Sequence, residues 1–506
     1  MTTIHPAHPG PRQALRRRPL SIAVAVALAL AGTGAGVGAG VGAVAGQAQP
    51  PASLRSGHPA QGQALVEYWQ AGRHGERGYP DPEPTMVENC NDSGPGSLRE
   101  AVAGVDRHAI IDMTQLTCSR ITLTTGAIVL PELGTHDWEF RLRGPGRDLL
   151  AIDAGHASPV FVGGNNNQLM IKDLTITGGR HVGSVLAAGG CIAMSTGDAY
   201  LYRSRIHDCH VESDGIALGG AVSAKNVRSE YSLWSGNSVT GRTLARGGAA
   251  AAKYSFFAAY STITGNRVDV QAPGPDQGEL SGGGAAASKY FLFASQSVIS
   301  GNSVQADAGP VAGGGLLAPE VYSRIARISD NTVISGTGDS VGGGIGLELP
   351  AATPLQVPLP PAQLARLPGF GGIQHWLAGP ATPASGSVLR SRISGVVDGD
   401  QAGPAGSSKY GGRVRDSQIS GNQAARGGGI GRYGVDEHEN NQLSIENSTL
   451  SGNQATRADG AGGGALLMGT GSLSLMASTL AGNSGGGLVI DGIVGGEYAH
   501  CRQRRR

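Results

Sequence analysis

Three Lys-Tyr pairs are the first residues whose type and spacing point to chemistry: Lys253-Tyr254, Lys289-Tyr290 and Lys409-Tyr410. Each lies 13 and 12 residues before an Asn that closes a recurring motif, and Lys225 falls close to the same place. Phenol rings in a row with ammonium groups beside them suit a sugar chain or an acidic polymer. The plainer reading is that the rings fill a turn while the lysines keep the surface hydrated. Acidic residues give less: Asp173, Asp208, Asp330, Asp398 and Asp400 share no register that would gather them into one catalytic cluster. Asp208 and Asp330 stand in a turn position otherwise held by Gly.

What must position such a row is a repeat. The unit S-x-I-S-G-N appears as STITGN (261–266), SVISGN (297–302), SQISGN (417–422), STLSGN (448–453) and STLAGN (478–483). Looser copies are LTITGG (174–179), SRIHDC (204–209), SLWSGN (232–237), ARISDN (326–331) and SRISGV (391–396), and G-G-G steps separate most copies. The third residue of the unit, three before its last, is apolar throughout, from Ile176 to Leu480, and upstream pairs such as Leu443/Ile445 keep the alternation of a strand. Two short strands per unit, joined by a Gly-Asn turn, cannot bury their inward residues alone. Stacked copies can. The expected fold is all-β, a parallel β-helix whose coils rise about 4.8 Å each. Asn then lies above Asn, free to hydrogen-bond along the stack.

Composition agrees. The 506 residues include 84 Gly and 27 Pro but no Gly-X-Y period, and 40% are hydrophobic. That excludes collagen and gives a chain able to bury a core. The net charge of +1 hides an uneven distribution: four Arg fall in the first 48 residues and four in the last five. Without them, 31 basic residues face 38 acidic ones, a net −7, which argues against a nucleic-acid partner.

Residues 1–48 read as a signal peptide, with Arg16, Arg17 and Arg18 ahead of an apolar run from Leu20 to Ala31. Ala43-Val44-Ala45 and Gly46-Gln47-Ala48 are candidate cleavage sites, and the alternative is an uncleaved membrane anchor. No second apolar segment of spanning length follows. The remaining divisions are a Pro/Gly-rich linker at 49–84, a cap and first coils at 85–178, repeats at 179–495 and a basic tail at 496–506. Ser97-Leu98-Arg99-Glu100 opens a short capping helix. Strand-like runs follow at 109–113, 120–130 and 149–162. A Pro-rich insert near 350–385 fills the widest gap between copies, with room for one degenerate coil, and carries Phe370, His375 and Trp376. Cys90, Cys118, Cys191 and Cys209 suit two local disulfides in an exported chain, leaving Cys501 over. Their spacing does not suit zinc, even at the H-D-C-H run 207–210, so no metal and no cofactor are expected.

The segment C-N-D-S-G-P-G-S-L-R-E-A-V (90–102) resembles the opening of a bacterial family of secreted right-handed parallel β-helix proteins with the pectin-lyase-like fold. That family is related in style to polymorphic outer-membrane proteins. The likeness continues through I-D-M-T-Q-L-T-C-S-R-I-T-L-T-T-G (111–126), R-G-P-G-R (143–147) and the G-G-C-I step at 189–192. It implies a right-handed solenoid, export to the surface or medium, and the pairings Cys90–Cys118 and Cys191–Cys209. Gly96 stands where some relatives carry Cys, and no C-terminal sorting module is visible. The fold hosts lyases, hydrolases and adhesins alike, so activity must be read from a site. The N-T-D, D-D, G-H-G and R-I-K motifs of polygalacturonase-like enzymes are absent, as are P-loops and nucleophile elbows. The expectation is therefore a non-catalytic adhesion or matrix protein contacting a polysaccharide or cell-surface glycan. A polysaccharide lyase or glycoside hydrolase is the alternative.

Overall fold

The computed structural model describes residues 82–490 apart from 106–107, 132–138, 165–166, 272–279, 338, 349–410, 433–441, 458–461 and 469–471. It is an all-β parallel solenoid in which every paired strand runs parallel to its equivalent in the next coil. One coil shows the plan. Val222–Glu230 lies in a long sheet, A; Leu233–Ser235 in B; Ser238–Gly241 in C; Leu244–Arg246 in D. The next coil begins 28 residues on, where Ala250 pairs with Val222. Sheet B has eleven strands, one per coil, which define about ten turns.

The apolar motif residue builds the main core. Ile121, Ile152, Ile176, Ile206, Trp234, Ile263, Ile299 and Ile328 form one register column, continued by Ile419, Leu450 and Leu480. All but Leu480 are fully buried. Each such side chain contributes about 1.5–3 kcal/mol before ordering costs. Trp234 fits because its indole N–H donates to Ser229 Oγ at 2.7 Å and its ring meets Phe256 edge-on.

Two polar ladders flank that column. From Asn237 upward the side-chain amide of each Asn donates to Oδ1 of the next, so Asn266, Asn302, Asn331, Asn422, Asn453 and Asn483 each accept from the Asn below at 2.8–3.0 Å. Cys209 starts the row by donating its backbone N–H to Asn237. The motif Ser makes a second ladder: Ser204, Ser232 and Ser261 donate backbone N–H groups to the hydroxyls of Ser232, Ser261 and Ser297. Buried amides are thereby satisfied without water.

The coils from Leu186 to Val341 enter four sheets, against the two strands per unit expected from the motif. The extra strands form a lobe with its own core, where Val239, Val268 and Val304 of C face Ala217, Ala245 and Val311 of D. The G-G-G steps close the lobe onto sheet A. Gly247 has φ 72°, and a Cβ on Gly248 would overlap the carbonyl of Gly284 in the next coil.

The widest gap contains no stacked coil among the described residues. Ile328 pairs directly with Ile419, and Glu320–Arg324 with Gly411–Arg415. The copy at 391–396 and the insert residues Phe370, His375 and Trp376 lie outside the described residues, as do residues 1–48, Cys501 and the basic tail. Ile345–Leu347 and Gly411–Arg415 are the two halves of one coil's sheet A strand, as Leu316–Ala318 and Glu320–Arg324 are in the coil before.

At the N-terminal side, helix Leu98–Ala103 buries Leu98 and Val102 and packs on Ala109–Asp112 and Ile128–Val129. Ser97 Oγ accepts from Glu100 N–H, and Glu100 Oε2 accepts from Gly96 N–H at 2.6 Å. The disulfides are Cys90–Cys118 and Cys191–Cys209. No helix among the described residues is long and apolar enough to cross a membrane.

Candidate functional site

The Lys-Tyr pairs sit where sheet A bends. Ala224 pairs with Ala252 and Asn226 with Ser255, so Lys225 alone faces the two residues Lys253 and Tyr254. Across the next interface Ala252 pairs with Ser288 and Ser255 with Phe291, so Lys289-Tyr290 repeats the two-residue step. The coil after that reverts to one residue, Pro319, between Leu316–Ala318 and Glu320–Arg324. Two successive coils thus carry a bulge flanked by coils that lack it. A bulge re-aims side chains, and here it stacks the two pairs. Lys409-Tyr410 lies outside the described residues.

The rings of Tyr254 and Tyr290 stack at 5.7 Å and 17°. Lys253 Nζ lies 5.0 Å from the centre of the Tyr254 ring and Lys225 Nζ 6.0 Å from it. Lys253 is only 7% exposed. Burial, then Lys289, then Lys225 push its pKa down to about 8. Burial also raises that of Tyr254. Because each ring has one face against the other, and the Lys253 and Lys225 ammonium groups lie within 6.0 Å of the Tyr254 ring, the row offers charge more than a stacking platform.

Sequence reading missed the residues beside this row. Arg228, Phe257, Phe293, Tyr322 and Arg413 form one register line on the long sheet. Phe257 and Phe293 stack at 4.9 Å and 9°, with the Arg228 guanidinium 5.0 Å from the Phe257 ring. Glu320 pairs with Phe291, and burial raises its carboxyl pKa to about 7. Tyr322 is raised too, by burial and then by Glu320. The strand of Glu320 reads E-V-Y-S-R, and an acid in register with Phe291 and Ser255 of the coils before it was the available signal.

Glu348 follows Leu347 as Lys289 follows Ser288, so it continues the lysine line upward. Its carboxylate is held by the fully buried Arg246 of sheet D, through both guanidinium termini. The acids singled out from sequence stay apart or lie elsewhere. Asp173 accepts from Arg203 Nε at 2.8 Å in the turn from A to B, and Asp208 and Asp330 occupy the glycine turn with φ 57° and 58°. Asp398 and Asp400 lie outside the described residues.

No family model, curated protein or solved structure matches the chain.

Proposed function

We propose that this chain is an exported, right-handed β-helix of the pectin-lyase-like kind that binds an anionic polysaccharide without altering it, at the cell surface or in the medium. The observation that carries this reading is Lys253. Its ammonium is buried beside Lys225 and Lys289 and loses proton affinity because of it. An anionic chain laid along the rod relieves that repulsion, and meets a repeating pattern at the coil spacing of about 4.8 Å. Tyr254, Tyr290 and the Arg228–Arg413 line supply hydrogen-bonding edges beside it.

Isothermal titration with polygalacturonate and with a neutral glucan tests this. The acidic polymer binds with an affinity that falls as salt rises, and Lys253→Gln with Lys289→Gln weakens it tenfold or more. Equal binding of both polymers, or none of either, sinks the proposal.

Glu320 favours a second reading, a lyase or hydrolase. A carboxyl raised to about 7 is half-protonated near neutrality and suited to proton transfer. Chain length after incubation, followed by size exclusion, separates the two. Shortening that Glu320→Gln abolishes in a folded protein makes the chain an enzyme; unchanged length leaves it a binder.

A further inference from the structure

We propose that His156, Asp208 and His210 form a site for a divalent transition-metal ion on the outer surface of the solenoid, at the turn between sheets B and C. One ligand atom from each lies within 4.8 Å of the other two. His156 Nε2 is 3.3 Å from Asp208 Oδ2, and His210 Nε2 is 3.1 Å from Asp208 Oδ1. The two imidazoles lie 5.3 Å apart, tilted by 33°.

His156 is far in sequence from Asp208 and His210 and is joined to them by the stack. Ala151–Asp153, just before His156, pairs with Thr175–Thr177, which pairs with Arg205–His207, just before Asp208. His156 must therefore reach across a whole coil. That coil presents Gly178-Gly179 at the crossing, with no side chain in the way, and the Gly178 carbonyl accepts the His156 backbone N–H. His156 and Asp208 both hold left-handed backbone angles, 59° and 57°. At the Asp208 position most coils use glycine (Gly236, Gly265, Gly301), and Asp330 is the other acid found there, with no such pair of histidines beside it among the described residues.

The support around the trio is rigid. Cys209, between Asp208 and His210, turns inward to its disulfide with Cys191 and leaves its neighbours on the surface. His210 Nδ1 is held by Ser238 Oγ at 2.7 Å, which orients Nε2 toward Asp208. Nearby cations are matched by their own acids: Arg180 with Glu212, and Arg120 with Asp153. Two imidazole nitrogens and one carboxylate oxygen, all solvent-accessible, are a donor set for zinc, cobalt, nickel or copper rather than calcium or magnesium, and they leave positions for water or an outside ligand.

The test is zinc and cobalt titration of the untagged full chain, read by calorimetry, by the visible spectrum of bound cobalt and by the metal-induced rise in Tm. One equivalent binds in the micromolar range or tighter, and His156→Ala, His210→Ala and Asp208→Gly each weaken it tenfold or more. Asp208→Gly installs the residue that most coils use, so it separates loss of a ligand from loss of fold; its metal-free Tm matches the parent or exceeds it. In the parent protein zinc also shields His156 and His210 from acylation by diethyl pyrocarbonate. Absence of uptake, affinity unchanged in Asp208→Gly, or no shielding of these two rings overturns the proposal.

Discussion

The Asn331 side-chain amide donates to Asn422 Oδ1 at 2.9 Å, although 91 residues separate them in the chain. The same bond joins Asn302 to Asn331 over 29 residues at the same distance. The ladder is thus indifferent to what lies between coils, and depends only on stacking.

Its members should differ in worth by position. Asn302 donates to Asn331 and to the Ile263 carbonyl, and accepts from both amide groups of Asn266. Asn302→Ala leaves those groups buried and unpaired, at about 1–3 kcal/mol. Asn483 is partly exposed, so water replaces its bonds and Asn483→Ala costs less. Chemical denaturation of the two variants checks the order; equal losses would show that the row is not a buried ladder.

Asp92 gives the acid limit of stability. Burial alone would raise its pKa, but hydrogen bonds from Arg99, Thr125 and Thr124 outweigh this and hold it well below the usual carboxylate range. A depressed pKa contributes stability that is present above the ordinary value near 3.9 and lost as pH falls below it. Asp92→Asn should therefore be less stable than the parent at pH 7, with the gap closing toward pH 2. A gap independent of pH would point to lost packing instead.

Ile325 is the costly member of a second left-handed turn, from sheet A to sheet B. It holds φ 52°, in line with Tyr231, Tyr260 and Gln296 at 51°, 50° and 47°. A β-branched side chain is strained there by about 1–2 kcal/mol. Ile325→Gly relieves that strain at the expense of unfolded-chain entropy and should be neutral or slightly stabilising. A clear fall in Tm would mean that the Ile325 side chain contributes more by packing than its backbone loses.

What the sequence made legible is what repeats within one coil. The Ile176-to-Leu480 positions, the Asn row and the Cys191–Cys209 neighbourhood recur at similar offsets, so hydrophobic burial and backbone pairing leave one way to stack them. What depends on register between coils stayed hidden. Lys225 opposing two residues, Glu320 beside Phe291, and His156 beneath Asp208 are each set by how one coil's length differs from the next. The turn from A to B was hidden for another reason: it takes left-handed angles at Tyr231 and Ile325, where no glycine marks it.

The lysine row and Glu320 predict opposite pH responses on one face. Glu320, raised to about 7, contributes stability that is full below its ordinary value and lost as pH rises through 7. Lys253, lowered to about 8, contributes stability that is full above its ordinary value near 10.4 and lost as pH falls through 8. Glu320→Gln should flatten the first window and Lys253→Met the second, each leaving the other in place. If an acidic polymer binds at Lys253, it restores the ammonium, and binding near pH 8.5 takes up protons. Titration calorimetry in buffers of different ionisation enthalpy measures that uptake, which Lys253→Met should abolish. Binding with no proton uptake in the parent would move the polymer off this row and onto the Arg228–Arg413 line.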